Sequence, residues 1–181
     1  MSHHNKNCWG WASLEAYSEL PESLWNKRLA VEYRLIQERD PPLFDIVDGD
    51  LTHYAGIIVG SGYYEGGYFK IEIKIPRSYP YTPPNVIWHT RIWHPNFTDE
   101  VPAKICESIF KDDWRPGLYL VNIIESLQNL LANPNPDDPL NSIAAYEMKY
   151  RPDVFLNRVK YYIQLYATPD KVFEKKLRWR M

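Results

Sequence analysis

Apolar residues recur along this chain at two different spacings, and the change from one to the other divides it. Over residues 23–39, Trp25, Leu29, Tyr33 and Ile36 return every three or four positions, the period of a helix with one buried face. Ser23 is the expected N-cap, and Pro41-Pro42 ends the helix. Beyond it the pattern alternates, and residues 43–47, 53–59, 68–75 and 86–89 read as strands. The third is the clearest, with Phe69, Ile71, Ile73 and Ile75 interleaved with Lys70, Glu72 and Lys74. Turn residues at Asp48-Gly49-Asp50 and between Gly60 and Gly67 separate these runs, which predicts successive hairpins, hence an antiparallel meander. Residues 91–104 are polar and broken by proline, while 121–131, 141–148 and 152–167 return to helical spacing, the last entered through Arg151-Pro152. The predicted fold class is α+β: an N-terminal helix, a four-stranded antiparallel meander, an irregular segment containing Cys106, and three C-terminal helices. The expected division is an N-terminal extension over 1–22, one domain over 23–168 and a C-terminal tail over 169–181.

Composition narrows the function classes. A chain of 181 residues, 45% apolar and 24% charged, suits one soluble domain with a full core. It has no run near the ~20 apolar residues that a membrane helix requires. The opening residues lack the pattern of a secretory signal, so the expected location is the cytoplasm, with the nucleus open to a eukaryotic protein. A net charge of -2 gives no global attraction to nucleic acid or to a membrane surface, which leaves a protein or small molecule as the expected partner. Cys8 and Cys106 are the only cysteines, too few for a disulfide framework; each is either packing or a reactive thiol. His3, His4 and Cys8 fall short of a closed tetrahedral metal set, so neither metal nor cofactor is expected. Lys27, Arg28, Arg34 and Arg39 make the first helix basic, either as an ordinary solvated face or as a docking surface.

Five local features then occur in a fixed order: Tyr79-Pro80-Tyr81-Thr82-Pro83-Pro84, His94-Pro95-Asn96, Ile105-Cys106, Trp114-Arg115-Pro116, and the run from Pro134 to Leu140 that contains Asp137-Asp138-Pro139. Each is weak alone. In this order, on this succession of helix and strands, the chain resembles the ubiquitin-conjugating enzyme family from about residue 24 to about residue 167. The resemblance implies an enzyme that carries ubiquitin or a ubiquitin-like protein as a thioester and passes it to a lysine. The alternative is a catalytically silent relative that binds or scaffolds.

The residue chemistry fits that implication. A thiolate is both a good nucleophile and a good leaving group, and the polar neighbours of Cys106 favour a reactive loop. Attack on a thioester builds charge on the carbonyl oxygen, which a fixed neutral amide such as Asn96 can stabilise; a turn residue bonding local backbone is the other reading of Asn96. The resemblance makes His94 structural, with Pro95 beside it, implies that Asn96 supports the active-site loop and the oxyanion, and gives Asp138 the handling of the incoming amine; capping the turn before the helix at 141–148 is the other reading of Asp138. It further implies that Tyr81, Pro116 and Gly117 face a RING-type ligase, with Trp114 mostly in the core, and that Lys27, Arg28 and Arg34 meet an activating enzyme. The protein is expected to act as a monomer on a protein substrate. Three features depart from the family: a ten-position interval from Asn96 to Cys106 that includes Asp99, Glu100 and Pro102, a short hairpin around residues 60–69, and residues 1–22, which have no obvious counterpart in it.

Overall fold

The computed structural model describes residues 19–105 and 114–173. Cys8 and the N-terminal His pair, Cys106, and residues 174–181 lie outside them.

Helix α1 (Glu22–Gln37) leads into strands β1 (Phe44–Val47), β2 (Asp50–Val59), β3 (Tyr68–Lys74) and β4 (Asn85–Trp88). These form one sheet in the order β1-β2-β3-β4, antiparallel throughout. Four helices follow: α2 (Leu120–Ala132), α3 (Ser142–Tyr150), α4 (Pro152–Tyr166) and α5 (Pro169–Phe173). The α+β meander and the three helices expected after it are present. The fifth helix lies where a tail was expected, and Val172 is buried. Tyr68 N–H donates to the Ala167 carbonyl, which holds the approach to α5 against β3.

Alternation along β3 sends Phe69, Ile71 and Ile73 into the core and Lys70, Glu72 and Lys74 to the other face. The core closes against α2, where Leu120, Ile123, Ile124, Leu127, Leu130 and Leu131 are buried at i, i+3, i+4 and i+7 spacing. Each such side chain, fully removed from water, contributes about 1.5–3 kcal/mol. On the outer face the Glu72 carboxylate contacts His53 at 2.5 Å, His89 at 2.7 Å and Lys74 at 3.0 Å. Burial alone would raise its pKa; bonds from His89, Lys74 and His53 outweigh burial and hold it down at about 2.

Two expectations about α1 change. Its N-cap is Pro21, whose carbonyl accepts from Leu24 and Trp25 N–H at 2.9 Å; Ser23 sits inside the first turn and does not cap. Arg28 is no part of a solvated basic face either. Its side chain is only 13% exposed, and it donates to Glu32 at 2.8 Å, the Tyr79 hydroxyl at 2.7 Å, the Pro116 carbonyl at 2.9 Å and the Leu118 carbonyl.

Glu32 is fully buried. It accepts from Arg28, the Tyr79 hydroxyl and, at 2.8 Å, Leu120 N–H, one of the amides that the start of α2 leaves without a helical partner. Burial, then the Glu32 charge, keeps the Tyr79 phenol well above its usual pKa. The network ties α1 to the Tyr79 turn and to the segment leading into α2. Trp114 completes it, packing on the Tyr79 ring at 5.5 Å and donating from Nε1 to the Pro80 carbonyl at 2.7 Å, so this side chain is core as expected.

Removing one member of a buried charge pair leaves the other uncompensated. Glu32→Ala is therefore expected to destabilise the fold by about 3–5 kcal/mol in urea unfolding. A loss below about 1 kcal/mol would mean that the network does not hold α1 to α2.

Candidate active site

The segment His94-Pro95-Asn96 is buried between the end of α2 and the loop before α3, and each of its residues makes a different connection. His94 is fully buried, stacked on Tyr64 at 5.1 Å and set edge-on to Phe97 at 4.8 Å. Its Nδ1 accepts from the Asn96 N–H at 2.9 Å, so the ring proton sits on Nε2, 3.2 Å from the Leu130 carbonyl. Burial pushes its pKa down to about 3, although the bond to Leu130 opposes the shift. A neutral imidazole with both nitrogens engaged fits the structural role expected of it.

The Pro95 carbonyl accepts from Leu140 and Asn141 N–H at 2.8 and 2.9 Å. Asn96 spans the same loop from the other side. Its side-chain nitrogen donates to the carbonyls of Asn135 at 2.8 Å and Asp138 at 3.0 Å, and its oxygen accepts from Asn135 N–H at 2.8 Å. Both amide hydrogens are used. Donation to an oxyanion, expected of Asn96 from chemistry alone, would require it to release one of these bonds. In this structure Asn96 holds a loop.

That loop carries Asp138, which is exposed. The side-chain N-cap of α3 is Asn141, accepting from Ala144 N–H at 3.0 Å. Asp137 lies in a turn closed by its N–H to Asn135 Oδ1 at 3.0 Å, and its carboxylate contacts Lys149.

The long interval before Cys106 is a closed excursion. Phe97 pairs with Ile105 and Trp88 with Ala103, while Thr98 exchanges hydrogen bonds with Lys104 through both backbone and side chain. Asp99 fixes it from outside, accepting from Arg91 Nε at 2.9 Å and the Tyr162 hydroxyl of α4 at 3.0 Å. Burial, then this bond to Asp99, raises the Tyr162 pKa to about 12. The two additional acids thus take different places: Asp99 anchors the loop, and Glu100 stays near the surface beside Thr98 and Lys104. Ile105, which the chain joins directly to Cys106, is thereby returned beside the residue that follows Asn96. Cys106 itself, the expected nucleophile, lies outside the described residues.

The residues expected to meet partners differ in exposure. Tyr81 is 43% exposed, and Pro116 and Gly117 are exposed with it. On α1, Lys27 and Arg34 are exposed and Arg28 is not. No described helix is long and apolar enough to cross a membrane. Among the described residues no group of three or more His, Cys, Asp or Glu is placed to hold a metal ion.

Sequence reasoning passed over Asn135, Asn141 and Glu32. The first two were legible as turn and cap residues, Asn135 preceding Pro136-Asp137 and Asn141 preceding the helical run. Arg28 lies one turn before Glu32, but the partners that bury Glu32 lie 47 and 88 positions away.

Comparison with known proteins adds a second line. The chain matches the family model described as "Ubiquitin-conjugating enzyme" over residues 28–163. It is 42% identical over 131 residues to the Drosophila melanogaster protein "Ubiquitin-conjugating enzyme E2-22 kDa", covering 71% of this chain and 65% of that one. It is 41% identical over 125 residues to human "Ubiquitin-conjugating enzyme E2 K", covering 68% and 62%. The chain thus spans a little under two thirds of the length of these relatives. Among solved structures, a Toxoplasma gondii ubiquitin conjugating enzyme E2 domain aligns with a TM-score of 0.71 at 35% identity, covering 80% of this chain and 99% of that one. A putative ubiquitin conjugating enzyme from Plasmodium yoelii gives 0.72 at 32%, covering 83% and 98%.

The buried imidazole predicts a pH dependence. The folded-state pKa of about 3 lies below the ordinary 6.5, so the unfolded chain binds a proton that the folded one does not. The contribution is present above pH ~6.5 and is lost as pH falls toward about 3, at up to about 1.4 kcal/mol per pH unit for one proton. Glu72, depressed to about 2 from 4.5, acts lower, between about pH 4.5 and 2. The thermal midpoint of the parent is therefore expected to fall between pH 6.5 and 5. His94→Gln should start lower at pH 7 and show a flatter slope over that window; parallel slopes would contradict the assignment.

Proposed function

The chain belongs to the ubiquitin-conjugating enzyme family, and from that premise we propose that it accepts ubiquitin or a ubiquitin-like protein as a thioester on Cys106 and passes it to a substrate lysine. The observation that carries the proposal is the paired connection around Asn96. Its side chain bonds the main chain of the loop bearing Asp138, and its neighbour Phe97 pairs with Ile105, the residue before Cys106. One buried amide is thus joined to both strands of chain that supply reacting groups.

In charging, the Cys106 thiolate attacks the modifier's terminal carbonyl, held as a thioester on an activating enzyme. A new carbon–sulfur bond forms and the activating enzyme's thiolate leaves. In discharge, the neutral lysine amine attacks that carbonyl, an amide forms, and Cys106 leaves as thiolate. The amine must lose a proton on the way, and free lysine is protonated near neutral pH. Asp138, exposed on a held loop, orients the ammonium and accepts that proton. Asn96 is a positioning residue here, acting through the loop. His94, neutral and engaged at both nitrogens, takes no part in proton transfer.

Tyr81, Pro116 and Gly117 offer a small apolar contact for a RING-type ligase, held in place by the Arg28–Glu32–Tyr79 network beneath. Lys27 and Arg34 are the residues of α1 left to meet the activating enzyme. Protein substrate and cytoplasmic location complete the reading.

One assay series tests these assignments: thioester formation with ATP, activating enzyme and modifier on non-reducing gels, followed by single-turnover discharge to lysine. Cys106→Ala is expected to abolish a reductant-sensitive adduct that Cys8→Ala retains. Asp138→Ala should charge normally and discharge more slowly, by about 10²-fold or more if its proton transfer is lost. Tyr81→Ala should lose ligase stimulation, equivalent to about 1–3 kcal/mol of binding, while charging persists. An adduct that survives Cys106→Ala would overturn the nucleophile. A fully folded parent that never charges with any modifier would favour the silent scaffold, and normal discharge by Asp138→Ala or an unaltered ligase response in Tyr81→Ala would remove those two roles.

A further inference from the structure

One side chain of α4 touches the chain on both sides of His94-Pro95-Asn96. The Tyr162 ring packs on Trp93 at 5.5 Å, just before these residues, and its hydroxyl donates to Asp99 Oδ2 at 3.0 Å, shortly after them. A further cation secures each end. Arg91 donates from Nε to Asp99 Oδ1 at 2.9 Å and from Nη2 to the Asp99 carbonyl at 3.1 Å. Trp93 is buried, donates from Nε1 to Glu147 of α3 at 3.0 Å and lies under the Arg158 guanidinium at 4.6 Å.

The far end of this brace lies on the excursion that leads to Cys106. Thr98 N–H donates to the Lys104 carbonyl at 3.0 Å and Lys104 N–H to Thr98 Oγ1 at 2.8 Å, so residues 99–103 form a loop closed at its base. Ala103 N–H donates to the Trp88 carbonyl at 2.9 Å, which ties the returning strand of the excursion to the sheet. The bonds at Asp99 tie the outgoing strand to α4. With both strands tied, Ile105, the last residue before Cys106, is set by contacts on two sides. Group transfer depends steeply on such placement, since a 1 Å displacement of a reacting group can cost ~10²-fold in rate.

We propose that Tyr162 and Asp99 are positioning residues for the transfer reaction: through the bond between them, α4 fixes the segment leading into Cys106 and so sets the rate of both charging and discharge. This rests on the reading of Cys106 as the residue that bears the thioester. It is separate from the part played by Asn96 and Asp138, which concerns discharge alone and works through the loop before α3. The Tyr162 phenol, with its pKa raised to about 12, remains the donor throughout the pH range in which such transfers are assayed.

Tyr162→Phe removes the hydroxyl and keeps the ring on Trp93, while Asp99→Ala removes the acceptor; the two are tested alone and together. Charging, and single-turnover discharge to free lysine, are followed with the modifier that charges the parent, alongside hydrogen exchange at the Thr98 and Lys104 amides. A rate constant for charged molecules separates placement from folding, because an unfolded fraction lowers only the amplitude. Asp99→Ala is expected to slow both steps about 10-fold with the half-saturating lysine concentration unchanged, and to lose protection at Thr98 and Lys104. Tyr162→Phe should show the same pattern to a smaller degree, and the double variant should be no slower than Asp99→Ala, since both changes cut one link. Parent rates in both single variants would overturn the proposal and leave the reading of Cys106 standing. So would slower transfer with Thr98 and Lys104 as protected as in the parent, or a double variant slowed by the product of the two single effects. A parent that charges with no modifier would remove the reading of Cys106 and this proposal with it.

Discussion

The carboxamide of Asn96 is the constraint on which the site depends. Two donors and one acceptor on one buried side chain meet two carbonyls and one N–H of a loop about 40 positions further on. Such groups, once removed from water, cost about 1–3 kcal/mol each if left unpaired, so the loop and the amide fix one another. The residues on either side extend the hold. His94 offers its bare Nδ1 to the Asn96 N–H, and Pro95, having no N–H, serves through its carbonyl alone, taking two amides at the entrance to α3. The exposed loop that carries Asp138 thereby acquires a buried anchor.

The Glu32 carboxylate solves the same problem at the start of α2. The start of α2 leaves amides without helical partners, and Glu32 takes that of Leu120 while Arg28 takes the carbonyls of Pro116 and Leu118. The surface that carries Tyr81, Pro116 and Gly117 rests on these bonds and on the Trp114 indole. Both anchors place polar side chains in the core to satisfy main-chain groups of irregular segments. Regular elements satisfy their own and need no such help. The protein can therefore hold two loops at defined positions within a fold otherwise built by apolar burial.

How much of this could be read from sequence follows from the range of the interactions. Phe69, Ile71 and Ile73 disclosed β3 because one buried face imposes its period on neighbouring residues, and the six apolar positions of α2 did the same. The motif order located His94, Asn96 and Asp138 without giving their geometry. For Asn96 the sequence left loop support and oxyanion donation side by side; that both its hydrogens are engaged depends on carbonyls 39 and 42 positions away. Arg28 was read as solvated because helical spacing places it beside Lys27, whereas a cation at the edge of a face can turn inward once a buried carboxylate lies one turn on. Asp99 looked like a disturbance in the Asn96–Cys106 interval, and its partners Arg91 and Tyr162 make it an anchor. The short α5 gave too few periods to be recognised.

The central claim is that Asn96 acts by holding the Asp138 loop. Hydrogen exchange at the Asn135 amide, which donates to the Asn96 side chain, tests it most directly when measured in Asn96→Ala beside the rate of lysine discharge. The account predicts faster exchange at Asn135 together with slower discharge, and charging of Cys106 retained. Slower discharge with the Asn135 amide as protected as in the parent would contradict it, because the loop would then be held without Asn96 and the lost activity would belong to direct contact with the reacting carbonyl.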